Sequence, residues 1–243
     1  MINFLILALS AAIAASAYSQ ENFEKDTISA SGGDLEITFI GHGTLMFNYG
    51  GKIIHADPFS KLADYSALPK ADIILITHHH GDHLDPKAIE KIRTDKTEIL
   101  LTKLCFEQIK EGKVMNNGDV KTFEGIKVEA VPAYNIEHKR DNGEPFHPKG
   151  TCNGYVITFG NKKVYIAGDT ENISEMKSLE NIDIAFLPMN LPYTMTPEMT
   201  ADAAKSFKPK ILYPYHFGST DLDKFSELMK DVTGIEVRLR KMN

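Results

Sequence analysis

Residues 77–83 read Thr-His-His-His-Gly-Asp-His and follow directly on Asp-Ile-Ile-Leu-Ile, an apolar run rich in β-branched residues. Four of the chain's nine histidines fall within these seven residues. An unbroken apolar run of that length reads as a strand covered on both faces, so the fold must supply a layer on either side of it. In extended chain, residues two apart point the same way. His78 and His80 therefore aim at one point and His79 faces elsewhere. Gly81 permits a sharp turn, and beyond it Asp82 and His83 aim at a neighbouring position. One short loop thus offers ligands to two adjacent cations, as two-metal hydrolysis requires. Imidazole and carboxylate donors at this density suit zinc, with manganese as the alternative.

The rest of the chain reads as one α/β domain. Strands are predicted at 35–40, 44–49, 52–56, 72–77, 98–101, 120–123, 126–131, 154–159, 163–167, 182–187, 211–215 and 236–239. Helices are predicted at 86–93, 103–110, 173–179, 197–207 and 221–231. Gly50-Gly51 marks a hairpin between the second and third strands, and Thr196-Pro197-Glu198 combines a cap, a first-turn proline and an early acid. Two facing mixed sheets with helices outside accommodate the pattern. A net charge of −6 and the lack of any Lys/Arg-rich block argue against nucleic acid as a partner and leave a small-molecule substrate.

Residues 4–15 (FLILALSAAIAA) carry no charge, are too few to span a bilayer, and lead through Ala15-Ser16-Ala17 into polar sequence. Residues 1–19 are expected to be a signal peptide exporting a hydrolase domain of residues 20–243 to the periplasm or medium, with no stable membrane insertion once the leader is removed. Cleavage after Ala17 or after Ser19 fits equally. A buried first helix or a membrane anchor is the competing reading. Cys105 and Cys152 lie in no Cys-x-x-Cys spacing; a disulfide and two free thiols both remain open. The oligomeric state is not legible.

His78-x-His80-x-Asp82-His83 resembles the His-x-His-x-Asp-His motif of the metallo-β-lactamase superfamily, and the resemblance extends from about residue 35 to the C-terminus. It implies a four-layer αββα sandwich with metals between the sheets at one edge. Ala167-Gly168-Asp169-Thr170 resembles the element whose carboxylate bridges both metals, and His216, after Tyr213-Pro214-Tyr215, resembles the C-terminal ligand of the second. The remaining ligand of the first metal is open between His147 and His138, because Asn135 stands where several subfamilies place a histidine. His147 is preferred. It lies in Phe146-His147-Pro148-Lys149-Gly150, which resembles uncharacterised subfamilies related to the ascorbate-lactone hydrolases and N-acyl-phosphatidylethanolamine phospholipase D. His138 sits beside Lys139 and Arg140, whose charge opposes a cation. Gly41-His42-Gly43-Thr44 resembles an element of the same subfamilies, which implies that His42 reaches the site edge, and Asp57 resembles an acid that orients a metal-bound imidazole; a simple turn role for either residue is the competing reading. The loop over 189–194 is expected to bring Tyr193 near the substrate; a plain loop leading into the next helix is the other reading.

Such a ligand set implies two divalent ions activating a water for attack on an ester, lactone or phosphodiester, with Asp82 orienting the nucleophile. Two other classes compete. A redox enzyme of the mononuclear-iron sulfur dioxygenase type shares the fold; diiron oxygen reductases are disfavoured because they usually carry Glu at the position of His80. A non-catalytic metal-binding protein is the second. Hydrolysis of β-lactams ranks low, since the Cys ligand of one β-lactamase group and the His expected at 135 are both missing.

Overall fold

In the computed structural model, which describes residues 23–242, the apolar runs assemble into two seven-stranded sheets. The expected leader and both cleavage points lie outside the described residues. The first sheet runs β1 (Glu24–Ala30), β2 (Gly33–Gly41), β3 (Thr44–Tyr49), β4 (Lys52–Ala56), β5 (Ile73–Leu75), β6 (Glu98–Leu101) and β7 (Lys113–Val114), in that spatial order. Its pairing is antiparallel from β1 to β4 and parallel from β4 to β7. The second sheet contains β8 (Val120–Phe123), β9 (Ile126–Ala133), β10 (Cys152–Phe159), β11 (Lys162–Ile166), β12 (Ile184–Pro188), β13 (Ile211–Tyr215) and β14 (Glu236–Val237). It is antiparallel through β11 and parallel beyond.

The strand before the histidine loop shows why four layers are needed. Ile73 and Leu75 enter the core between the sheets, with Phe39, Phe47, Phe159, Phe186 and Tyr213. Ile74 and Ile76 point the other way, into a second core with Ala88, Ile89 and Ile92 of α1 (Pro86–Ile92) and Cys105 of α2 (Lys103–Ile109). On the far side, α3 (Pro197–Phe207) and α4 (Leu222–Met229) bury Ala201, Ala204, Phe207 and Phe225 against the second sheet. The architecture is the expected αββα sandwich. α1 starts on Asp85, which accepts from the Lys87 amide, and α3 on Thr196, which accepts from that of Met199.

Three expectations change. Residues 24–30 form an edge strand with an alternating half-buried pattern that the flanking polar sequence concealed. The helix expected over 173–179 is only a 3₁₀ turn, Ser174–Ser178; Ile173 at its cap has no side-chain acceptor, and so short a segment does not overcome helix nucleation. Gly81 is not a steric necessity, since it avoids the left-handed region and an added Cβ would touch nothing within 4 Å. Cys105 and Cys152 are free and buried. No helix among the described residues is long and apolar enough to cross a membrane.

Parallel β4 and β5 end at one edge of the first sheet, and β11, β12 and β13 run parallel in the second. The loops after these strands carry Asp57, the histidine cluster, Asp169 and His216, as expected where strand ends gather. Far along the chain, the C-terminal tail is tied back to β1. Asp26 accepts from Arg240 Nη2 at 2.6 Å, from Arg238 Nη1 at 3.0 Å and from the Tyr213 hydroxyl. Burial opposes its charge, but hydrogen bonds from Arg240, Tyr213 and Arg238 outweigh burial and hold its pKa below 3.8. Its contribution is therefore complete above the unfolded-state value and fades as pH falls through the lowered one. Asp26→Ala is expected to cost about 1–2 kcal/mol at pH 7, since both arginines keep access to water. In urea unfolding, the gap between Asp26→Ala and wild type should narrow below pH 4; an unchanged gap at low pH would contradict this account.

Candidate metal centre

Donor atoms from the two sheets converge in two adjoining groups. In the first, His80 Nδ1 lies 3.0 Å from His78 Nε2 and 3.3 Å from His147 Nε2. In the second, His83 Nε2 and His216 Nε2 are 3.0 Å apart, with Asp82 Oδ2 at 3.7 and 3.8 Å from them. Asp169 stands between the groups. Its Oδ2 is 3.4 Å from His147 Nε2 and 3.9 Å from His78 Nε2, while its Oδ1 is 3.4 Å from His216 Nε2 and 3.5 Å from His83 Nε2. The structure brings His147 into the first group and keeps His138 out: His138 Nδ1 is 2.7 Å from Glu171 Oε1.

Outer hydrogen bonds decide which imidazole nitrogens carry lone pairs. The Thr77 hydroxyl donates to Asp57 Oδ2 at 2.6 Å, so the Thr77 oxygen accepts from His78 Nδ1 at 3.0 Å. His83 Nδ1 donates to Asp57 Oδ2 at 2.8 Å, and His147 Nδ1 donates to Asn135 Oδ1 at 2.7 Å. In all three rings Nδ1 holds its proton outward, so that Nε2 faces the cluster and offers its lone pair there whenever the ring is neutral. Facing lone pairs repel unless a cation or proton lies between them. Asp169 Oδ1, buried among them, has no hydrogen-bond partner. The donor set, its inward lone pairs and this orphaned oxygen fit a pair of divalent cations.

Electrostatics agree. Burial and neighbouring imidazoles hold His78 and His216 well below 6.5 and lower His80 to about 4 and His147 to about 3, so all four are neutral at pH 7. His83 differs. Burial lowers it, but Asp169 and Asp57 outweigh burial and raise it to about 10. Burial pushes Asp169 up to about 6. A bound cation would displace the His83 proton and stabilise the Asp169 anion.

Glu171 and the positioning role of Asn135 escaped sequence reading. Glu171 is buried and accepts from the Ile136, Glu137 and His138 amides at 2.7 Å each, from His138 Nδ1, and from Asn135 Nδ2 at 3.0 Å. Burial raises its pKa, yet these donors outweigh burial and keep it below 4.5. Glu171 thus fixes the Asn135 amide, whose oxygen accepts both the backbone and ring N–H of His147. The only signal was that Glu171 directly follows the Gly-Asp-Thr element. His42 Nε2 lies 3.0 Å from Asp82 Oδ2, and its ring centre lies 3.8 Å from that of His216 with the two planes tilted by 41°. This approach needs Gly43: a Cβ there would sit 3.0 Å from His83 Cε1 and 3.1 Å from His216 Cδ2. His79 joins neither donor group.

His80, Asp82, His147, Asp169 and His216 form the floor of a cleft of about 390 Å³, walled by Arg140, Phe146, Asn190 and Tyr193. Phe146 and Tyr193 meet edge to face at 5.0 Å.

Residues 36–216 match the β-lactamase superfamily domain. The UPF0173 metal-dependent hydrolase of Natranaerobius thermophilus is 32% identical over 219 residues, covering 83% of this chain and 94% of the relative. That of Pelotomaculum thermopropionicum is 29% identical, covering 84% and 96%. A crystal structure described as a metal-dependent hydrolase from Parabacteroides distasonis superposes with a TM-score of 0.86 at 51% identity, covering 91% of this chain and all of that one. A metallo hydrolase from Ignicoccus hospitalis, at 23% identity and TM-score 0.71, covering 86% and 96%, shares the fold.

Asp57→Asn should present an amide to His83 Nδ1, favour the wrong tautomer and weaken metal binding about 10–100-fold. Competition with a chromogenic chelator measures this; unaltered affinity would remove Asp57 from the orienting role.

Proposed function

This chain belongs to the β-lactamase superfamily and is a metal-dependent hydrolase; from that premise we propose that it uses two divalent cations, zinc or manganese, to cleave an ester, lactone or phosphodiester bond in a small molecule. The observation that carries the reading is Asp169, which turns one oxygen toward each imidazole group. When bound, the cations supply an acidified water and stabilise negative charge developing on substrate oxygen.

The residues divide the remaining work. His78, His80 and His147 present neutral nitrogens to one position, and Asp82, His83 and His216 serve the other. Asp82 is the only one of the two cleft carboxylates with substantial exposure, 38% of its side chain. Burial opposes its charge, but the His42 hydrogen bond and the His83 charge outweigh it and hold its pKa far below the ordinary value. So weak a base orients a water by accepting its hydrogen bond rather than by keeping its proton. Tyr193 and Phe146 give the substrate an apolar wall. No serine or cysteine nucleophile is required, and both thiols are buried with pKa values raised by burial, to about 11 for Cys105 and about 12 for Cys152. The open cleft beside the donors favours an enzyme over a purely structural metal protein. The uncharged leader is read as an export signal, placing this chemistry in the periplasm or medium.

Elemental analysis should find close to two equivalents of zinc or manganese per chain. A panel of lactones, thioesters, carboxylic esters and phosphodiesters should include a substrate whose turnover is lost on chelation and restored by metal. Replacing both His78 and His80 by Ala should remove metal from the first position and reduce turnover to background. Full activity in that double variant would refute the mechanism; tightly bound iron with a redox spectrum would favour the dioxygenase alternative.

A further inference from the structure

Arg140 is the only lysine or arginine lining the cleft among the described residues. It reaches the rim from the loop between Asn135 and His147, where its backbone N–H donates to the Glu144 carbonyl at 2.8 Å and its carbonyl accepts from the Gly143 amide at 2.8 Å. Its guanidinium lies 5.0 Å from the centre of the Phe146 ring, and Nη2 donates to the Phe146 carbonyl at 3.3 Å. These contacts orient the side chain without neutralising it.

Its remaining close contact is with His80, whose Nε2 lies 3.5 Å from Arg140 Nη2. His80 turns Nδ1 toward His78 and His147. If Nδ1 contributes its lone pair to the cluster, the proton must sit on Nε2. Arg140 Nη2–H and His80 Nε2–H then face each other as two donors with no acceptor between them. Two cations below would add further positive charge. Charge and hydrogen-bonding demand converge on the same missing partner, an oxyanion.

We propose that the cleft selects substrates carrying an anionic group separate from the bond that is cleaved, a carboxylate or a phosphate, seated between Arg140 and His80. The inference rests on the hydrolase reading of this cleft. Arginine suits the role because its planar fork binds either oxyanion through paired hydrogen bonds. The body of the molecule lies along Phe146 and Tyr193. A volume of about 390 Å³ is at the small end of ligand clefts, which favours a metabolite-sized substrate over a polymer.

The test uses the zinc-reconstituted full chain and three activated esters of matched length: 4-nitrophenyl hexanoate, mono-4-nitrophenyl adipate, and the 4-nitrophenyl ester of 5-phosphonooxypentanoic acid. The anionic esters should exceed the neutral one in kcat/KM by about tenfold or more, mainly through KM, and added salt should shrink that ratio. Comparison of the two anionic arms separates carboxylate from phosphate. Arg140→Gln should bring the anionic-to-neutral ratio close to one, and Arg140→Lys should restore part of it. A neutral ester hydrolysed as well as both anionic ones by wild type, or a ratio that survives Arg140→Gln, would overturn the proposal. If none of the esters is turned over, it is the carboxylic-ester form of the hydrolase reading that has failed. Calorimetric binding of adipate and inorganic phosphate to the same zinc-loaded proteins then decides the anion site: binding weakened about tenfold by Arg140→Gln supports it, and equal binding rejects it.

Discussion

Fixing an imidazole's outer N–H turns its other nitrogen inward, and for His78 and His83 that task falls to Asp57. That buried carboxylate accepts from the Thr77 amide and hydroxyl and from His83 Nδ1, and the hydroxyl it orients accepts from His78. Its own amide donates to the Leu75 carbonyl, and its carbonyl accepts from Thr44. One residue at the end of β4 therefore registers β3, β5 and the tautomers of two histidines at once. Glu171 performs the parallel task across the interface, acting on His147 through Asn135. An amide substitutes here for the direct carboxylate contact used at His83.

The geometry carries a conformational cost. His42, Asp57 and His216 all adopt left-handed backbone conformations, with φ of 50°, 47° and 44°. Such non-glycine residues each cost on the order of 1 kcal/mol. They persist because neighbouring hydrogen bonds hold them: the His216 amide donates to the His42 carbonyl at 2.9 Å, and the His42 amide donates to the Met242 carbonyl. Placing three such residues around one cluster re-aims side chains that regular strand ends would direct elsewhere.

The central spacing was legible because it combines local alternation with unusual residue types. His78, His80, Asp82 and His83 announce themselves within a single loop, and the apolar strand before them demanded layers on both faces. Asp169, His216 and His147 became readable only through family resemblance, since a lone Asp or His after a strand has many structural uses. Glu171 and Asn135 lay beyond reach because their roles arise from a hydrogen-bond chain closed in three dimensions. The same holds for Asp26, whose partners lie more than 180 residues away. The 24–30 strand was missed because its half-buried pattern is filled by charged and small residues, whose placement is decided by pairing with β2 rather than by intrinsic preference.

The division of donors between the sheets has a consequence for biogenesis. His80 and His147 are separated by 67 residues, and His83 and His216 by 133. A nascent chain that has just released its first histidine loop from the ribosome lacks both distant partners, and Asp169 with them. Full coordination must await nearly complete synthesis and docking of the second sheet on the first. Acquisition of metal is thereby made a late event by topology, and a truncated translation product cannot present the complete set of donors.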